Sequence, residues 1–186
     1  MYLVSAYFDQ NSENRMQKYI DAAAGRTGCR FMIENNIPPH MTMAQINGGG
    51  AGAGDGARYD AGAISGVLDE VIADGRVSSG VIDIVSFGVF KPKVMFLTPV
   101  LNEYLFNMSA ALDEALVRAF GSDAVGSRYR PFSWLPHITI ARGLSEPQMR
   151  QAFSCMQADH SVFSARIERI GLAESRPYKN IKVWDL

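Results

Sequence analysis

The 186-residue chain is short of several things, and each shortage excludes a class of protein. Cysteine is nearly missing: Cys29 and Cys155 stand 126 residues apart, with no C-x-x-C pair and no ladder of short spacings. That disfavours a disulfide scaffold and a structural zinc site, and makes the reducing cytoplasm the expected compartment. An excess of one charge is missing too. With 18 Lys and Arg against 19 Asp and Glu, the formal net charge is -1. The broad positive field that grips duplex DNA or long RNA is therefore absent, although a single bound anion stays compatible with it. No apolar run approaches the roughly 18 residues of a membrane span, and Met1 to Asp9 lacks a basic segment leading into a long apolar one. Neither secretion nor a membrane partner is expected. Histidine is the scarcest functional residue, with three copies at 40, 137 and 160.

What is present reads as one domain of ordinary length, 1–186, and a monomer is expected. Residues 2–8 are rich in strand formers and end at Asp9-Gln-Asn-Ser12, a cluster able to cap a helix. Met16, Tyr19, Ile20 and Ala23 then form one helical stripe, closed by Gly25 and Gly28. Pro38-Pro39 bars helix, so His40 to Ile46 reads as a strand. The tract Asn47 to Gly56 lacks a Gly-Lys-Ser/Thr ending and reads as a surface connection rather than a phosphate loop. Ile64, Val67, Leu68, Val71 and Ile72 mark a helix; Val81–Phe90 and Val94–Val100 are strands. Leu101, Leu105, Met108, Leu112 and Leu116 make the clearest helical stripe. His137 to Ala141 is a strand, and Ser145-Glu-Pro-Gln148 starts a helix with Met149, Phe153 and Met156 inward. Val162–Leu172 and Lys179–Trp184 are the last strands.

The resulting order is strand, helix, strand with histidine, helix, strand, repeated once, with one strand more. Tyr2 to His40 is 38 residues and Val94 to His137 is 43, so the two halves match in element order and motif position. Two similar lobes about a pseudo-twofold axis are expected, roughly 1–92 and 93–186, with strands open to exchange between them.

Each half carries Pro-His-hydrophobic-Thr-hydrophobic: Pro39-His40-Met41-Thr42-Met43 and Pro136-His137-Ile138-Thr139-Ile140. With 47% hydrophobic residues and four threonines, a given histidine meets this pattern by chance about once in two hundred cases; two of three doing so has odds below about one in ten thousand. On a strand, residues two apart share a face. His40 and Thr42 therefore look one way and Met41 and Met43 the other, and the second motif repeats the arrangement. Two imidazoles and two hydroxyls facing each other across a twofold suit a phosphodiester. In-line displacement at phosphorus needs a base on the attacking oxygen and an acid on the leaving oxygen, on opposite sides, and histidine can be either near neutral pH. Threonine hydroxyls can hold the non-bridging oxygens. A catalytic zinc site usually takes three protein ligands. His160 would have to be the third, and it lies in a polar Ala-Asp-His-Ser turn outside both repeats, so it is placed on the surface and neither metal nor other cofactor is expected.

The paired motifs resemble those of the 2H phosphoesterase superfamily, within it the bacterial 2'-5' RNA ligase-like (cyclic phosphodiesterase) group. Trp134-Leu-Pro-His-Ile-Thr-Ile-Ala-Arg142 is similar to that family's second motif, and Arg176 to Leu186 to its terminal strand. The resemblance implies a bilobal α+β fold, each lobe a mainly antiparallel sheet with outer helices, around a central groove. It implies metal-independent hydrolysis of 2',3'-cyclic phosphate ends of RNA or nucleotides to 2'-phosphates, with reversible 2'-5' RNA ligation in some members. The catalytic roles carry onto His40, Thr42, His137 and Thr139; which histidine is base and which acid stays open. Arg130, Arg142 and Tyr178, with Tyr129, Phe132 and Trp134, are candidates for substrate binding, because aromatic faces stack on bases and guanidinium forks phosphate. A non-catalytic RNA-end or nucleotide binder, and a 2H enzyme for a non-RNA cyclic phosphate, are the alternatives.

Overall fold

The structure is a computed structural model and describes residues 1–47, 59–90 and 93–186. The glycine tract from Gly48 onward lies outside the described residues. Along the chain run β1 (Tyr2–Phe8), α1 (Gln10–Thr27), the short α2 (Phe31–Glu34), β2 (Met41–Ile46), α3 (Ala61–Ala73) and β3 (Gly80–Phe90). Then follow β4 (Val94–Pro99), α4 (Glu103–Phe120), β5 (Ile138–Arg142), α5 (Glu146–Asp159), β6 (Phe163–Ser175) and β7 (Tyr178–Asp185). Apart from α2, this is the repeated order expected from the sequence.

Local chemistry sets the helix ends. The Asp9 carboxylate accepts from the amides of Asn11 and Ser12 at 2.9 and 3.1 Å, which starts α1. The helix runs through Gly25 and stops at Gly28, where φ is 72° and only glycine sits without strain. Asn102 caps α4, so Leu101 lies outside the helix and is exposed, whereas Leu105, Met108, Leu112 and Leu116 are buried as the stripe requires. The Ser145–Gln148 capping box opens α5. Phe153 of α5 is exposed rather than inward, because Ala152 and Met156 take the buried face and Phe153 is turned about 100° from Ala152.

All strand pairings are antiparallel, in the order β1-β2-β5-β4-β3-β6-β7, and β1 also pairs with β6. Six strands thus close a circuit, and β7 is added on β6. The pairing crosses residue 92 freely: β3 pairs with β4, and β6 with β1. These two contacts are equivalent under an exchange of β1–β3 with β4–β6. The contacts β2–β5 and β3–β6 each map onto themselves. At β2–β5 the ladder is a single pair, Met41 opposite Ile138, which are the same position of the two motifs. The pseudo-twofold axis therefore passes between the two histidine motifs.

Met41, Met43, Ile138 and Ile140 are buried in one core that also takes Phe8, Met16, Ile20, Ile64, Leu68 and Leu112. Each such side chain stabilises the fold by about 1.5 to 3 kcal/mol, so both motifs are pinned from behind by their apolar members.

Candidate active site

Register shows what shares the open face. On β1–β2, Ser5 lies opposite Thr42 but Val4 opposite Ala44, so Met43 is an extra, bulged residue. On β4–β5, Phe96 lies opposite Thr139 but Met95 opposite Ala141, so Ile140 is bulged at the equivalent place. Beyond each bulge the alternation of faces is reset. Leu3 faces Gln45 and Val94 faces Arg142, which returns Gln45 and Arg142 to the faces of Thr42 and Thr139. Plain alternation in the sequence would have put both on the core side.

Both histidines stand immediately before their strands and are held alike. The Nδ1 of His40 is 2.9 Å from the Pro38 carbonyl and that of His137 is 2.8 Å from the Leu135 carbonyl. A carbonyl only accepts, so each Nδ1 carries the proton, and in the neutral ring Nε2 is the basic nitrogen. Burial lowers the pKa of both imidazoles, and the His137 charge lowers that of His40 further. Each histidine is the residue before one partner of the Met41–Ile138 pair, the pairing that brings the two motifs together. Among the described residues neither threonine hydroxyl has a hydrogen-bond partner in the protein, while Thr42 is itself buried. Its carbonyl accepts from Trp134 Nε1 at 3.1 Å, which ties the approach to the second motif to the strand of the first.

The surroundings differ between the halves. The Tyr178 ring lies 5.2 Å from His40 and the Tyr7 ring 6.4 Å from it. His137 instead meets Phe90 edge-on at 4.9 Å and Phe96 at 5.3 Å. Ser5, opposite Thr42, is fully buried, and its hydroxyl has no partner. Phe96, opposite Thr139, is its pseudo-symmetric counterpart.

Of the binding candidates, Tyr178 is placed beside His40. Arg142 is on the open face at the end of β5 and its guanidinium lies 5.5 Å from the Phe31 ring. Arg130 is paired with Asp113 of α4 at 2.5 Å, an engagement with the helical layer. Trp134 is buried, whereas Phe132 is 91% exposed with a φ of 66° and packs on Phe106. His160, expected at the surface, is half-buried against Tyr19 and Phe87, because the turn after α5 folds it back onto that aromatic cluster. Tyr7, Asn180, Phe90 and Phe96 were not singled out by sequence. Only their register, through β6 for Asn180 and through β4 for Phe90, brings them to the site. Among the described residues no three His, Cys, Asp or Glu side chains converge as a metal site would require, and no helix is long and apolar enough to cross a membrane.

Comparison with solved structures identifies the architecture. The chain matches TT0787 of Thermus thermophilus with a TM-score of 0.63 at 13% identity, covering 100% of this chain and 97% of that one. It matches E. coli LigT complexed with 3'-AMP with a TM-score of 0.61 at 14% identity, again covering 100% and 97%. LigT has also been solved with NADP+ and with ATP. The fold is that of the LigT-like 2H phosphoesterases. No protein-family model matches the chain, and no curated protein matches its sequence.

Proposed function

We propose that the chain is a 2H phosphoesterase that hydrolyses 2',3'-cyclic phosphate ends of RNA or nucleotides to 2'-phosphates, with His40, Thr42, His137 and Thr139 as its catalytic residues. One observation carries this reading: two His-x-Thr motifs meet at a pseudo-twofold axis, each with Nδ1 tied to a carbonyl and Nε2 left for chemistry, in a fold shared with LigT. The nucleotides bound to LigT support a nucleotide ligand here.

A phosphate between the rings has one Nε2 on either side. The neutral ring takes the proton of the attacking water while the protonated ring gives its own to the departing ribose oxygen, and the two threonine hydroxyls donate to the non-bridging oxygens. With a 5'-hydroxyl in place of water as the attacking group, the same displacement at the cyclic phosphate joins two ends through a 2'-5' linkage while the 3' oxygen leaves, and cleavage of that linkage exchanges the roles of the two histidines. Arg142, a cation on the face of Thr139, steers the phosphate in this reading; Arg130, engaged with Asp113, is the weaker of the two candidates. The test is product analysis by phosphorus NMR with a panel of 2',3'-cyclic nucleotides. A 2'-phosphate product that disappears in both His40→Ala and His137→Ala supports the proposal. Full turnover in either variant, or no turnover by the wild type on any member, refutes it.

A further inference from the structure

The two histidines are backed by rings of different chemistry. Behind His137 stand Phe90 and Phe96, which offer no hydrogen bond. Behind His40 stands Tyr178, whose hydroxyl is 2.5 Å from that of Tyr7, and Tyr7 donates to Asn180 Oδ1 at 2.7 Å. A phenol has one proton to give. That of Tyr7 goes to Asn180, so the proton between the two phenols belongs to Tyr178, and the chain runs in one direction. Burial raises the pKa of both phenols, which keeps them neutral and the chain intact through neutral pH.

Tyr7 is itself fixed from two sides. It lies on Gly171, where a Cβ would come within 2.5 Å of Tyr7 Cε2, so only glycine leaves the ring its place. The Arg169 guanidinium stands 5.9 Å from the ring and is anchored on Glu13 at 2.6 Å and on the Phe8 carbonyl at 2.9 Å. The other half repeats the floor: a Cβ on Gly88 would come within 2.8 Å of Phe96. Each histidine is thus backed through a ring laid on a glycine, but among the described residues only the His40 side is locked by hydrogen bonds.

We propose that Tyr7 and Asn180 are positioning residues for His40, and that the Tyr178–Tyr7–Asn180 chain seated on Gly171 clamps the Tyr178 ring against the imidazole and makes β7 part of the first motif's site. The inference rests on the reading of His40 as a catalytic residue. Among the described residues, the titratable and charged groups facing the imidazole are His137, just before β5, Tyr7 from β1 and Tyr178 from β7, with the Arg169–Glu13 pair behind Tyr7. Tyr7→Phe alters none of these charges, so its effect on His40 comes from solvation and geometry alone.

The experiment is titration of the histidine ring protons by NMR, together with steady-state kinetics on a 2',3'-cyclic nucleotide, for wild type, Tyr7→Phe and Asn180→Leu. Release of Tyr178 lets water reach the imidazole, so the His40 midpoint rises by about half a unit or more while that of His137 holds. The kcat falls about tenfold or more with KM within about twofold, because a loosened ring loses aim rather than substrate. Gly88→Ala, which displaces Phe96, moves the His137 midpoint instead. Tyr7→Phe and Asn180→Leu that both match wild type in the His40 midpoint and in kcat overturn the inference. A shifted midpoint in a protein that turns over no cyclic phosphate leaves the clamp standing and defeats the phosphoesterase reading instead.

Discussion

If the two imidazoles divide the work of base and acid, the free enzyme must hold one proton between them, and the structure says at which pH it does. Both rings are drawn below the ordinary histidine value of about 6.5 by burial, and His40 further by the charge on His137. Coupled groups titrate in two macroscopic steps, and the singly protonated form is most abundant between them. Both steps lie below about 6.5, so kcat/KM on a 2',3'-cyclic nucleotide is bell-shaped with its optimum below about pH 6.5. Above the upper step the rate falls tenfold per unit, leaving no more than about 3% of the plateau at about pH 8. The assay is kcat/KM from about pH 4.5 to about pH 8.5, since that ratio reports the free enzyme. Stability gives a second readout with a definite sign. Both shifts mean that the folded protein binds protons less readily than the unfolded chain does. The contribution is therefore fully present above about pH 6.5 and is lost as pH falls through the folded values. The urea midpoint of wild type accordingly declines relative to that of His40→Gln/His137→Gln across the window of the acid limb. An optimum at or above about pH 7.5, or a profile without an acid limb, would refute the division of labour.

Three further outcomes follow from the site. On the proposed mechanism Thr42→Val and Thr139→Val would each remove one donor to the non-bridging oxygens, so kcat is expected to fall by about 100-fold or more with the fold intact, as circular dichroism and steady-state kinetics would record. Arg142→Ala raises KM at nearly unchanged stability, whereas Arg130→Ala leaves Asp113, 13% exposed at its side chain, without its partner and costs about 1 to 3 kcal/mol in urea unfolding; a KM effect confined to Arg130→Ala would reverse the assignment. Trp134→Phe removes the hydrogen bond to the Thr42 carbonyl and lowers stability by about 1 to 3 kcal/mol, with a matching loss of kcat because the two motifs lose a direct tie.

The sequence made the motifs and their alternation legible because both depend on local rules. Four residues of apolar character, Met41, Met43, Ile138 and Ile140, mark the buried side of two strands, and all four are buried. Helix starts at Asp9 and Ser145 are likewise local, since a capping side chain reaches only two or three residues along the chain, whereas the apolar stripe includes Leu101 and so misses the start of α4 at Asn102. Non-local pairing was not legible. Nothing near Tyr7 in sequence announces Tyr178 or Asn180, which arrive through two ladders, β1 on β6 and β6 on β7. Bulges were hidden as well. An extra residue at Met43 or Ile140 has no signature in side-chain type, yet at Ile140 it decides that Arg142 shares the face of Thr139. Phe153 shows the same limit on a helix: its spacing from Met149 and Met156 allows burial, but the face of α5 that packs against α1 and the core takes Ala152 and Met156 instead.

A twofold scaffold cannot by itself distinguish an attacking oxygen from a departing one, because it presents equivalent atoms to both. The bonds that hold Nδ1 obey this symmetry to within 0.1 Å, at 2.9 and 2.8 Å. Discrimination must therefore come from positions on the histidine face where equivalent ladder sites carry different side chains. Ser5 stands where Phe96 does, Gln45 where Arg142 does, and a phenol pair with an amide backs His40 where two phenyl rings back His137. One half thus offers hydrogen-bonding groups, and the other a cation and apolar faces. A substrate with a polar ribose edge on one side of phosphorus and water on the other has the same inequality, so on the proposed reading the residues that break the symmetry would be the ones that orient it. The proposed reading is also compatible with a net charge of -1, since an anion met by one arginine and two hydroxyls at a single point would require no wider positive field.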